Sequence, residues 1–244
     1  MRFEVHDSRR GFDGMQMRTI VGFSGGKDST ALALITDAKY LLYTPTGNEP
    51  KPVAEHIERI RRLLGAELIC PTAPTLSDLI YEFKALPNWR MRWCTRMIKV
   101  QPAMAWIQKN ADFKLAVGIR ADEQSRGGIY GLEPDRYCMP LQEMGWGLYE
   151  VNAYLEAREI EIPKRTDCAV CPYQRLIEWY WLWRDFPDDY TQGEAWEAWT
   201  GHTFRSESKD KHPTSLASLR TAFESGWIPN YRKTRERTCR ICSM

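Results

Sequence analysis

The residues with the clearest chemical purpose run from Ser24 to Ser29, reading Ser24-Gly25-Gly26-Lys27-Asp28-Ser29 between an apolar run and a helical pattern. Two adjacent glycines let a turn aim several backbone N–H groups at one point, and the positive end of the following helix faces the same point. Lys27 adds a full charge there, and Ser24 and Ser29 add hydroxyls. An oligophosphate is the ligand that suits such a loop. A Walker A loop would need glycine at the position of Val21 and Ser or Thr at that of Asp28, so a P-loop NTPase is excluded. A Gly-x-Gly-x-x-Gly dinucleotide fingerprint is missing from the turn as well.

Sulfur is the second source of chemistry. Of 7 cysteines, four fall in two Cys-x-x-Cys pairs, Cys168/Cys171 and Cys239/Cys242. Such a turn brings two thiolates onto one ion at little loop cost, and four thiolates together suit either structural zinc or a [4Fe–4S] cluster, between which spacing does not choose. A redox-active pair and simple packing are the competing readings. Cys138 is a substitute ligand or a sulfur-carrying thiol, Cys94 a small buried side chain or a nucleophile, and Cys70 is expected in the core. Paired cysteines without a disulfide pattern point to a reducing compartment, here the cytoplasm.

These residues need a scaffold. Short apolar runs at Arg18 to Ser24, Lys39 to Thr44, Glu67 to Cys70 and Lys114 to Ile119 alternate with helical patterns, which predicts a parallel sheet covered by helices. The best helix is Pro52 to Leu64, with Val53, Ile57, Ile60 and Leu64 on one stripe and Gly65 as the stop. A second helical pattern covers Thr30 to Ala38, and Ala121 to Gly147 reads as a long loop over the end of the sheet. After Pro163 tryptophans crowd among charges without strand alternation, predicting a small helical subdomain. The division expected is 17–160 for a nucleotide-binding α/β domain and 161–244 for a helical, cysteine-bearing one.

Composition limits the partners. With 34 Lys plus Arg against 32 Asp plus Glu the chain is not basic throughout, and its 244 residues are ample for a buried core. No apolar run is long enough to span a membrane, and the polar first residues predict no secretory signal. The stretch Arg232 to Cys242 is locally basic, with Arg232, Lys233, Arg235, Arg237 and Arg240 against Glu236. Joined to the rings of Tyr173, Trp179, Tyr180, Trp181 and Trp183, it could contact nucleic acid, although such rings commonly build a core.

The phosphate loop resembles the PP-loop of the ATP pyrophosphatase, or adenine nucleotide alpha hydrolase-like, superfamily. More narrowly, the chain resembles the phosphoadenosine phosphosulfate (PAPS) reductase-like family. Thr46-Gly47-Asn48-Glu49 is similar to the family's DTGNE loop, and Arg92-Trp93-Cys94-Thr95 with Lys99 and Pro102 to its RWCT segment. Gly118-Ile119-Arg120-Ala121-Asp122-Glu123 with Ser125 and Arg126 resembles GIRxxES.R, and Pro140-Leu141, Trp146, Val151 and Tyr154-Leu155 match a further stretch. The resemblance implies a Rossmann-like parallel sheet, ATP as substrate and cleavage between its α and β phosphates. It places nucleotide contacts at Ser24, Gly25, Gly26, Lys27, Asp28, Ser29, Gly47, Glu49, Gly118, Arg120 and Glu123.

Adenylyl transfer gathers negative charge on the α phosphate and the departing pyrophosphate, so cations must neutralise it. Lys27, Lys99, Arg120 and Arg126 are the candidate clamps; Asp28, Glu49 and Glu123 could hold Mg2+. Two departures matter. Pro45 stands where the family has Asp, and no ECGLH-type segment carries a reductase cysteine. Pro45 puts in doubt what the family's carboxylate does, while the missing segment and the intact loop favour an ATP-using, adenylating enzyme in sulfur-transfer or nucleic-acid-modification chemistry, with a nucleic-acid acceptor or a sulfur-donor protein as partner. The alternatives are reduction of PAPS or adenylyl sulfate by Cys239 or Cys242, and a nucleotide-sensing module without catalysis. Oligomeric state stays open.

Overall fold

The protein was analysed as a computed structural model, which describes residues 17–126, 135–206 and 212–230. Cys239, Cys242 and the basic run at 232–240 lie outside the described residues, as does the side chain of Arg126.

Five parallel strands form the central sheet: β1 (Arg18–Gly22), β2 (Tyr40–Leu42), β3 (Glu67–Ile69), β4 (Phe113–Ala116) and β5 (Tyr137–Cys138), in the order β3-β2-β1-β4-β5. The four expected strands are present, each ending earlier than expected, with β4 starting one residue sooner. The middle strand β1 buries Ile20 and Val21 on opposite faces, as a strand covered on both sides must. β5 lies inside what the sequence suggested was loop. It is two residues long, too short to show an alternating pattern.

Helices cover both faces. On one, α1 (Lys27–Ile35), α2 (Lys51–Leu64) and α6 (Leu148–Glu156) share a core with β1 and β2, through Leu32, Val53, Ile57, Ile60 and Val151. On the other, α4 (Gln101–Lys109) packs Ile107 against Ile20, Leu42, Phe113 and Leu115. Helix α2 begins with Pro52 in its first turn and ends at Gly65, whose φ of 59° any residue with a Cβ would adopt only under strain. Its buried aliphatics stabilise by roughly 1.5–3 kcal/mol each. A short α5 (Pro140–Glu143) precedes α6.

The C-terminal part is helical, as expected: α7 (Leu176–Asp185), α8 (Pro187–Thr200) and α9 (Leu216–Glu224). It does not close a core by itself. Leu76, Leu79 and Ile80 of α3 (Leu76–Phe83), with Ile98, share one apolar cluster with Trp179, Leu182, Tyr190, Trp196, Leu219 and Phe223. In the tryptophan-rich α7, Trp179 is wholly buried and Tyr180 and Trp183 pack on Phe223, so these three rings serve the core. Among the described residues, no helix is long and apolar enough to cross a membrane.

Candidate nucleotide and thiol site

The chain leaves β1 for β2 on one side and returns to β4 on the other, so the loops after β1 and β4 part at the carboxyl end of the sheet. Open parallel sheets bind ligands in that crevice. Ser24 to Gly26 follow β1 directly and lead into α1. Gly25 has φ 73°, and a Cβ there would stand 3.0 Å from Ile57 of α2, so this position needs glycine. Gly118, just past β4, lies under the first turn of α1. A Cβ on it would come within 3.1 Å of the Ser29 nitrogen and 3.2 Å of the Asp28 carbonyl carbon.

Ser29 has a different task from the one expected. It is buried; its hydroxyl donates to the Gly26 carbonyl at 3.0 Å and accepts from the Ser24 amide at 3.2 Å. It braces the loop from within, while Ser24 remains exposed. Lys27 opens α1.

Arg120 is spoken for as well. It is fully buried, with Nη1 donating to Asp28 Oδ2 at 2.8 Å, Nε to Asp122 Oδ1 at 2.9 Å, and Nη2 3.3 Å from Glu123 Oε1. Three carboxylates surround this one guanidinium, so Arg120 positions Asp28, while among the described residues its buried Nη2 has no hydrogen-bond partner. Burial alone would weaken its charge, but the neighbouring carboxylates, Asp28 first, hold the proton on. Among the described residues, the buried Asp28 Oδ1 has no hydrogen-bond partner. An orphaned anionic oxygen beside a phosphate loop suits Mg2+, a hard cation that takes oxygen ligands.

Glu49, expected to hold metal, uses both carboxylate oxygens within its own turn. Its Oε1 accepts from the Thr46 amide at 2.6 Å and the Thr46 hydroxyl at 2.7 Å, and its Oε2 from the Gly47 amide at 3.1 Å. The carboxylate closes its own turn. That turn is pinned in place by Leu76 N donating to the Thr46 carbonyl at 2.7 Å, and Gly47, at φ 74°, abuts Thr75.

The turn after β2 also receives the thiols. The Asn48 carbonyl accepts from Ala169 N at 2.7 Å and its side-chain Oδ1 from Val170 N at 3.3 Å, which docks the Cys168–Cys171 turn on it. Thr166 reaches the phosphate loop itself, its Oγ1 3.4 Å from where a Cβ on Gly26 would stand. Arg165 braces the segment through the Gln174 side chain at 2.5 Å and the Cys168 carbonyl at 3.2 Å. The Cys171 thiol donates to Cys168, which pulls the Cys168 thiol below its ordinary value with help from Lys99, while Cys171 is pushed well up. Cys168 is thus the more acidic thiol of the pair.

Cys94 joins these two in lining a narrow cavity of about 20 Å³, with Lys99 and Thr46. Burial, and after it Cys168, raises its thiol. The donor set, three soft thiols on one cavity, fits a thiolate-bound centre of zinc or iron–sulfur type. Among the described residues, no three His, Cys, Asp or Glu yet stand at metal-holding distance. Cys138 is elsewhere, on β5, its thiol pushed up to about 11 by burial and directed at the Leu115 carbonyl. Cys70 is exposed and not in the core, because β3 is an edge strand that ends before it.

Sequence reasoning passed over Asp167. It lies beside Cys168 and feels Arg165, Lys99 and Lys27, yet loss of hydration still pushes its carboxyl up. Its adjacency to a Cys-x-x-Cys pair was the available signal. Lys99 belongs with the thiols as much as with phosphate. It sits on the π-helical turn Thr95–Val100, which projects it beside Cys94 into the thiol cavity.

A phosphate loop at the switch point of a parallel sheet, faced by a braced thiol turn, defines an α/β nucleotide-phosphate-binding protein with sulfur at its site. The family model of the phosphoadenosine phosphosulfate reductase domain matches residues 18–164, more than half of the chain, and the chain belongs to that family. No match was found among curated proteins. The solved structures that resemble it include the following three. The PAPS reductase of Candida auris, in a phosphate complex, is 12% identical over 59% of this chain and 74% of its own, with TM-score 0.43. The U34-tRNA thiolase NcsA of Methanococcus maripaludis, with its [4Fe-4S] cluster, is 18% identical over 95% and 82%, with TM-score 0.48. The NH3-dependent NAD synthetase of Campylobacter jejuni, with nitrate ion, is 12% identical over 91% and 92%, with TM-score 0.41.

Proposed function

We propose that the chain is an adenylating PP-loop enzyme: it binds ATP with Mg2+ on Ser24 to Ser29, cleaves it between the α and β phosphates, and activates an acceptor for sulfur transfer. The observation carrying this reading is the seating of the Cys168–Cys171 turn against the phosphate loop at Thr166 and against the β2 turn at Asn48.

In this reading the loop amides, the N-terminus of α1 and Lys27 take the outer phosphates, and Asp28, held by Arg120, holds Mg2+. An acceptor oxygen attacks the α phosphorus; the bond to pyrophosphate breaks and its electron pair leaves with pyrophosphate. A sulfur nucleophile then displaces AMP from the adenylated acceptor. Lys99 steadies anionic charge between the two centres and, after Cys171, helps to lower the Cys168 thiol. Cys94, Cys168 and Cys171 are the residues that would hold a zinc ion or an iron–sulfur cluster, with Cys239 or Cys242 completing the set. Bound there, such a centre supplies a place to carry sulfide, which a donor protein replenishes.

One observation favours a second reading. The Cys168 thiol, lowered by Cys171 and seated on the Asn48 turn, could attack as its thiolate the sulfate sulfur of adenylyl sulfate or PAPS and expel the nucleotide. Cys171 would then displace sulfite, the pair giving up two electrons as a disulfide.

Products separate the two. Chromatography of reactions supplied with Mg-ATP, sulfide and small RNA or DNA is expected to show AMP and pyrophosphate, with Lys27→Ala weakening ATP binding about 10- to 100-fold. Sulfite from adenylyl sulfate, without pyrophosphate release from ATP, would establish the reductase instead. Tight ATP binding with neither product would leave a sensing module.

A further inference from the structure

We propose that the protruding turn Asn88 to Arg92, with Tyr173, docks a single-stranded nucleic acid at the mouth of the thiol cavity. The proposal rests on the adenylation reading for its purpose, since it names the acceptor class, but the docking surface stands on its own observations.

The first is charge. From Lys84 to Ala111 the chain has no Asp or Glu and carries Lys84, Arg90, Arg92, Arg96, Lys99 and Lys109, within a molecule whose totals are 34 against 32. A concentration of this kind in a nearly neutral chain is a local field for a polyanion. Among the described residues no carboxylate is ion-paired with Arg90 or Arg96, and both are exposed.

The second is the manner of presentation. Asn88 Oδ1 accepts from the amides of Arg90 and Met91, each at 2.9 Å, and so folds the segment into a tight turn that pushes its side chains outward. Trp89 remains 47% and Met91 50% exposed, although apolar surface of that size is ordinarily buried. The Arg90 guanidinium lies 4.5 Å from the centre of the Trp89 ring, and that of Arg92 5.4 Å from the Tyr173 ring. A flat ring with an arginine stacked beside it is the arrangement on which an unstacked base and its phosphate are held without regard to sequence.

The third is place. The Tyr173 hydroxyl donates to the Trp89 carbonyl at 3.2 Å, tying the turn to the residue two beyond Cys171. Asn88, Arg92 and Tyr173 line the same cavity as Cys94, Cys168 and Cys171. A base stacked on Trp89 would therefore sit at the rim over the thiols. A duplex keeps its base faces covered and could not use the ring, so the partner is single-stranded, or looped out.

The test uses the full-length chain and fluorescein-labelled 20-nucleotide single strands of RNA and of DNA, a duplex of the same sequence, and polyglutamate, read by anisotropy at several salt concentrations. Single strands are expected to bind more tightly than duplex. Trp89→Ala should weaken them about 5- to 100-fold, with Trp89→Phe restoring most of the loss. Arg90→Ala with Arg96→Ala should reduce the salt slope by about 1.4. ATP affinity, measured by calorimetry, should be unchanged in all three variants, and Lys27→Ala should lose ATP while binding nucleic acid normally. That separates a failed docking surface from a failed nucleotide site. Unaltered single-strand affinity in Trp89→Ala and in the arginine pair would overturn the proposal. So would equal affinity for duplex, or preference for polyglutamate, which would mark the strip as a site for an acidic protein.

Discussion

At the scale of single residues, His56 shows how partners decide chemistry. Arg59 Nη2 lies 3.0 Å from Nδ1 and can only donate, so Nδ1 accepts and the ring proton sits on Nε2, donating to Thr30 of α1 at 3.1 Å. Burial and the nearby Arg59 push the imidazole down to about 4 from 6.5. Between those values the unfolded chain binds the proton that the folded one refuses, so stability is greatest above about pH 6.5 and falls as pH drops toward 4. The loss is on the order of 3 kcal/mol. Urea unfolding at intervals from pH 7.5 to 4 should show that slope in the native protein and a flatter one in His56→Gln. Sequence carried the identities at this scale but not the allegiances. Lys27, Asp28 and the paired glycines were readable because the loop is contiguous. Arg120 was not, because its partner Asp28 is 92 positions away and a charge shows its sign but not its neighbour.

Among the elements, the approach of β4 to α1 is the most demanding contact. Gly118 leaves the Ser29 amide and the Asp28 carbonyl almost touching the strand exit. Gly118→Ala should displace the first turn of α1, and with it Lys27 and Asp28, costing about 1–3 kcal/mol of stability. Nucleotide binding should suffer more than the fold does, which isothermal titration with ATP and a melting curve on the same sample would compare. An undiminished ATP affinity would mean that the loop tolerates movement there. Strands β1 to β4 and helix α2 were legible because each carries its own period or cap, such as Pro52 and Gly65. β5 was hidden by its length, and the π-helical turn that carries Lys99 beside the thiols has no signature in residue types alone.

For the whole molecule, one apolar cluster takes residues from both sides of the boundary expected near residue 160. Leu76, Leu79, Ile80 and Ile98 are covered by Trp179, Leu182 and the helices that follow. Which residues share an interior is a non-local property, and composition along the chain does not report it. A chain ending at residue 160 should therefore expose that apolar face of α3, aggregate, and lack a cooperative transition, whereas calorimetry of the full chain should give one transition. Two separate transitions would restore the picture of two independent units.

Asn48 deserves a final consequence. Its two oxygens grip consecutive amides on the sulfur-bearing turn, so under the proposed function the nucleotide's surroundings and the cysteines are mechanically joined. Coupling of that sort works in both directions: whatever oxidation of the sulfurs does to the hold on ATP, ATP does in equal measure to their willingness to be oxidised.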